Sequence, residues 1–83
     1  MISKDIEFNF SKLRGRIVEK FGKQEDFAKA AGISYVSLSK RLNNHLEFSA
    51  REILRMSNIL EINSEDIPLY FFTTKVQKHE QAS

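Results

Sequence analysis

The chain has 83 residues, 41% of apolar type and 29% charged, with a formal net charge of +2, so a single soluble domain is expected. Cysteine is absent and the two histidines, His45 and His79, stand far apart, which excludes a disulfide framework and a thiolate or clustered-imidazole metal site. No apolar run approaches the ~20 residues of a membrane span, Met1–Asp5 does not read as a signal peptide, and neither a glycine-rich phosphate loop nor a nucleophile–base set is present. A cytoplasmic protein without catalysis, cofactor, metal or small-molecule ligand is therefore expected. In chain order, a first helix is predicted from a cap at Asn9 or Ser11 to about Phe21, because Phe10, Leu13, Ile17 and Phe21 recur at helical spacing. Gly22 stands where the backbone leaves that helix through a left-handed residue.

The segment Gln24–Ala31 places Phe27, Ala28 and Ala31 on one face and stops at Gly32. It is too short to be stable alone and must pack on its neighbours. Ser34 caps a third helix, about Tyr35 to Asn43, which buries Leu38 and Leu42, and a polar turn over Asn43, Asn44 and His45 follows. Ser49 and Glu52 have capping-box spacing and open a fourth helix that buries Ile53, Met56 and Leu60, with Leu54 and Ile59 widening its apolar face. Pro68 is tolerated only in a first helical turn, so a short fifth helix is predicted to start near Ile67, with Ser64 as a possible cap. Residues 1–8 read as an N-terminal arm, 9–72 as an all-α, five-helix domain, and 73–83 as a tail with a short extended piece over Thr73–Val76.

Charge is unevenly spread. Residues 12–41 carry Lys12, Arg14, Arg16, Lys20, Lys23, Lys29, Lys40 and Arg41 against Glu19, Glu25 and Asp26, a net +5, whereas residues 1–11 are net −1 and 42–83 net −2. A positive patch on a small domain suits polyanions, although a run of charge also describes an ordinary solvated helix face.

The central segment, Gln24 to Asn44, reads as two short helices joined by a tight turn at Gly32, with Ala28 small at their crossing and Ile33 anchoring the turn. Gln24, Ala28, Gly32, Ile33, Ser34 and Leu38 together resemble the helix-turn-helix of the Cro/phage-repressor (XRE) class. The stretches FSKLRGRI before it and FSAREI and YFFTTKVQK after it resemble short phage-encoded Cro-like regulators of Gram-positive bacteria, over roughly Phe8 to Lys78. The resemblance implies a lambda-repressor-like fold, a sequence-specific repressor on a palindromic double-stranded DNA operator, and phosphate contacts from Gln24 and Asn43. One departure from that family is visible. Arg41 and Leu42 stand where it often carries an apolar residue and then an acid that pairs with an arginine of the first helix, so the buried stripe here must run Leu38–Leu42.

At 100° per residue, Val36 and Lys40 point away from Leu38 and Leu42, with Ser37 and Ser39 beside them and Tyr35 able to reach outward. The expected DNA-facing set is Gln24, Ser34, Tyr35, Val36, Ser37, Ser39, Lys40, Arg41, Asn43 and Asn44, with valine against a thymine methyl and lysine on guanine or phosphate. The bland alternatives are a Val36 packed on a neighbouring loop, a half-buried Tyr35, and solvated Lys40 and Arg41. A homodimer is expected on a two-fold operator, with Leu69, Phe71, Phe72 and Val76 as its surface, unless that run closes the domain's own core. The rival reading is a protein-interaction module on the same fold, an antitoxin or a modulator of another repressor. A small enzyme is the third and weakest possibility.

Overall fold

The computed structural model describes residues 6–75. Five α-helices run α1 (Ser11–Phe21), α2 (Gln24–Ala31), α3 (Tyr35–Leu42), α4 (Ala50–Ile59) and α5 (Ile67–Phe71), with one 3-10 turn (Ser64–Asp66) leading into α5. Among the described residues the only β pairing is an isolated antiparallel bridge between Phe8 and Thr74, and no helix is long and apolar enough to cross a membrane. The chain is an all-α domain of five helices.

Local chemistry sets most boundaries. Gly22 and Gly32 adopt φ of +81° and +78°, where a Cβ is strained, and end α1 and α2. The Ser34 hydroxyl accepts from the Ser37 N–H at 3.0 Å, and Ser49 and Glu52 form the reciprocal capping box. Proline lies in the first turn of α5. The start of α1 differs from expectation. Phe10 occupies the cap and makes no side-chain cap bond, while Asn9 Oδ1 accepts from the Ser11 N–H at 2.9 Å, a local turn that delivers the chain into the helix.

All five helices contribute to one core, centred on Leu13, Ile17, Phe27, Leu38, Met56, Leu60 and Phe71. Two sequence expectations are corrected here. Leu54 does not widen the buried face of α4 but is exposed, and Phe71 is core rather than surface. The first is geometric: Ile53, Met56 and Leu60 already fill the space towards the other helices, and Leu54 lies about 100° round from Ile53.

Three arginines staple helix ends. Arg14 Nη2 donates to the Leu42 carbonyl at the end of α3 (3.2 Å), Arg16 Nε to Leu60 at the end of α4 (2.9 Å), and Arg55 Nη1 to Ala31 at the end of α2 (3.2 Å). The last carbonyls of a helix lack intrahelical donors and carry its negative dipole end, so each guanidinium supplies both a donor and a matching charge.

The two ends of the domain meet. Asn9 N–H donates to the Thr73 carbonyl at 2.7 Å and Lys75 N–H to Glu7 at 2.8 Å. On the other side of Phe8, Asn44 acts as a surrogate strand: its Oδ1 accepts from the Phe8 N–H (2.9 Å) and its Nδ2 donates to the Phe8 carbonyl (3.0 Å). Residues 7–9 and 73–75 therefore belong to the domain instead of forming a separate arm and tail. The expectations for residues 1–5 and for Val76 and the rest of the tail lie outside the described residues.

Candidate functional site

The third helix is held so that one side is buried and the other is open. Leu38 and Leu42 are buried, whereas Tyr35 is 46% and Val36 61% exposed, with Lys40 exposed beside them. The Gly32 turn fixes its approach, because the Ile33 N–H donates to the Ala28 carbonyl at 3.0 Å while the Ile33 side chain packs on the core. Burial of Leu38 and Leu42 sets its rotation, and an ion pair to α4 braces it. Arg41 Nε and Nη2 donate to Glu52 Oε1 and Oε2, each at 3.0 Å, and Nη1 donates to the Ser37 carbonyl at 3.0 Å and to the Ser37 hydroxyl. Both charged side chains are only 16% exposed. Partial burial pushes the Glu52 carboxyl up, but the Ser49 N–H and the Arg41 guanidinium outweigh it and hold the group below the ordinary glutamate range.

The residues expected on DNA thus separate into three groups. Tyr35, Val36 and Lys40 share the open side of α3. Ser34, Ser37, Arg41, Asn43 and Asn44 are engaged within the fold: Ser34 caps α3, Ser37 and Arg41 bind each other, Asn43 Oδ1 accepts from Arg14 at 3.0 Å, and Asn44 holds Phe8. Half-buried Ser39 and Gln24 form a third group: Ser39 receives a long 3.4 Å bond from Asn43 Nδ2, and Gln24 lines a shallow cleft with Lys23, Glu25 and Tyr35. Arg41 and Asn44, expected to add affinity for DNA, direct their polar groups to Glu52 and to the Phe8 backbone.

Much of the basic half of the sequence is engaged within the fold, while Lys23, Lys29 and Lys40 stay exposed with no ion pair among the described residues. Arg14 and Arg16 point to helix ends, Lys20 pairs with Glu61 and Arg41 with Glu52, and Lys12 lies 5.1 Å from the centre of the Tyr70 ring. Glu52 and Glu61 come from the half that residue counting made acidic. The Lys20 ammonium holds the exposed Glu61 carboxyl below its usual range. Sequence reasoning counted Glu25 and Asp26 in the charge balance but not for their place in the first turn of α2. They stabilise that helix's positive end, and they place carboxylates where a phosphate-binding helix N-terminus would need none. The signal was available, since both acids directly follow Gln24.

A second surface lies where the chain ends meet. Phe72, Phe8, Phe10, Phe48 and Phe71 form a run of neighbouring rings at centroid distances of 5.2–6.1 Å. They line an open cavity of about 400 Å³, completed by Ile6, Leu46 and the turn from Asn44. Of the residues expected to form a dimer surface, Leu69 and Phe72 are exposed and Phe71 is buried.

A family model matches residues 6–74, nearly all of the described structure. The chain belongs to the DUF739 family. That family is described as one of unknown function, and no curated protein matches this DUF739 chain. Among solved structures, it is similar to the solution structure of the modulator of repression of the temperate bacteriophage TP901-1 from Lactococcus lactis. The two share 43% sequence identity with a TM-score of 0.72, over 84% of this chain and 95% of that one. This similarity overturns the expectation that the DUF739 chain is itself a Cro-like repressor acting by occupying an operator: the solved protein is named for modulating repression. The open side of α3 presents Tyr35 and Val36 beside Lys40, and the shallow cleft next to Tyr35 carries both Lys23 and Glu25.

Proposed function

We propose that this chain regulates repression in a phage setting by binding a protein, a transcription repressor, through the open side of α3. The single observation that carries the reading is the exposed Tyr35–Val36 pair, locked outward by the Arg41–Glu52 bridge, on a chain 43% identical to a phage modulator of repression. Aromatic and aliphatic anchors ringed by polar groups are what protein–protein contacts concentrate their energy on. Here Tyr35 and Val36 supply the anchor, and Lys40, Glu25 and Gln24 supply the rim. On this reading the helix-turn-helix resemblance is one of scaffold, the recognition helix having been turned to a protein partner. No catalysis is involved.

Calorimetric titration of the full chain into the repressor encoded in the same genome tests this. Saturable binding is expected, with Val36→Glu and Tyr35→Ala each weakening it tenfold or more, as for interface anchors worth about 1.4 kcal/mol or above. Heat of binding that neither substitution changes would remove α3 from the interface. Binding to duplex DNA that falls steeply with salt, with no repressor complex, would overturn the reading.

A further inference from the structure

The two flanks of the α3 surface differ in charge. Towards α2, the cleft beside Tyr35 carries both Lys23 and Glu25. Towards α4, the bidentate contact of Arg41 with Glu52 ties the two helices together. The residue before each member of that pair, Lys40 on α3 and Arg51 on α4, is exposed. Arg55 lies one turn beyond Arg51 on the same face of α4 and is exposed too. Its Nη1 donates to the Ala31 carbonyl at 3.2 Å, which leaves the rest of the guanidinium fork for another acceptor. None of the three cations makes an ion pair among the described residues. Glu52 does not offset them, because its oxygens already accept from Arg41 and from the Ser49 N–H. Glu47, the acid that precedes Arg51 in the chain, lines the aromatic groove instead.

We propose that this seam takes an acidic segment of the repressor, with carboxylates on Lys40, Arg51 and Arg55 and an apolar side chain on Val36. The proposal rests on the reading of α3 as the repressor contact and names the chemistry of the surface that α3 meets. Uncompensated charges of one sign on one flank select a partner of the opposite sign. Guanidinium forks match the two oxygens of a carboxylate in geometry as well as in charge. A phosphate backbone shares that charge, but Val36, 61% exposed beside Lys40, offers apolar surface that phosphates do not use. Glu25 and Asp26 in the first turn of α2 would also repel a duplex lying across α3, whereas a peptide segment on the α4 side meets the already engaged Glu52.

Titration of the full chain into the repressor encoded in the same genome, at salt from about 0.05 M to 0.5 M, tests this. The dissociation constant should rise with salt. Arg51→Glu and Lys40→Glu break no ion pair within the fold, and glutamate suits the first turn of α4, so both variants should fold. Each should weaken binding about threefold to tenfold at low salt, one exposed attraction being lost and one repulsion gained. The deficit should shrink at high salt, and Arg51→Lys should restore most of the affinity. Lys12→Glu makes the same change of net charge beside Tyr70. It should leave binding nearly unchanged at ~0.15 M salt, where the Debye length is ~8 Å. The guanidinium N–H resonances of Arg51 and Arg55 should shift as the complex forms. Binding that Val36→Glu abolishes, but that salt and both charge reversals leave intact, keeps α3 as the contact and overturns the acidic partner. Binding strengthened by Arg51→Glu also overturns it, since the seam then faces a basic surface. Absence of any repressor complex, or salt-dependent binding to duplex DNA in its place, removes both readings.

Discussion

The open side of α3 and the aromatic groove are both exposed apolar surface on one small domain, yet they are built in opposite ways. The first belongs to a single eight-residue helix braced on its outer side by one ion pair. The second is assembled from the bridged segment around Phe8, the turn from Asn44 to Phe48 and the end of α5, joined by ring contacts and backbone hydrogen bonds. A surface on one locked helix is fragile to loss of its lock and tolerant elsewhere. A surface spread over several segments has no single lock, but its floor is the core itself, so it fails only when the core does.

The sharpest way to break this contrast is to attack that floor. Phe71→Ala should cost about 3–5 kcal/mol, as expected for a fully buried aromatic, and should lower the urea midpoint of the whole domain in one cooperative transition. Loss of only the groove, with the rest of the domain intact, would show the two regions to be separable.

Removing the lock comes next. Glu52→Ala deletes the partner of a mostly buried guanidinium and half of a capping box, for an expected loss of about 2–4 kcal/mol in thermal unfolding. Glu52→Gln keeps the cap geometry and should lose roughly half as much. The Glu52 carboxyl titrates below its ordinary range in the folded chain, so the folded state keeps the charge where the unfolded state takes up a proton. Stability from the bridge is thus complete above the unfolded value, about 4.3, and is lost as pH falls through the depressed folded value. The acid slope should flatten in Glu52→Gln. An unchanged slope would mean that the bridge does not set the helix.

The smallest effect is expected at the seam between the two regions. Asn44→Ala strips both side-chain partners from the Phe8 backbone and should cost about 1–2 kcal/mol, with faster amide exchange at Phe8 but not at Leu38. Equal exchange at both would merge the regions into one unit.

The helices were legible because their signals are local. Ser34, Ser49, Gly22, Gly32 and Pro68 each act within a turn of themselves, and the Leu38–Leu42 stripe correctly set which side of α3 faces the core. What escaped the sequence was every contact that crosses between elements. Arg41 was read as a free cation because Glu52 lies eleven residues on, in a helix whose crossing angle no local rule supplies. Asn44 was read as a surface amide because Phe8 lies 36 residues back. Charge counted along the chain suggested a polyanion surface, whereas in space Arg14, Arg16 and Arg55 close helix ends and Lys20 and Arg41 pair with distant acids. Function followed the same rule. Val36 and Lys40 were placed outward by periodicity and Tyr35 by its position in the first turn, but Glu25, which lines the cleft beside Tyr35, was counted only as charge.

The bridge between Phe8 and Thr74 makes the polypeptide almost a closed ring. A short peptide splicing the segment before Glu7 to the segment after Lys75 would complete the circle, and new termini could then be cut into an exposed connection such as the one between α4 and α5.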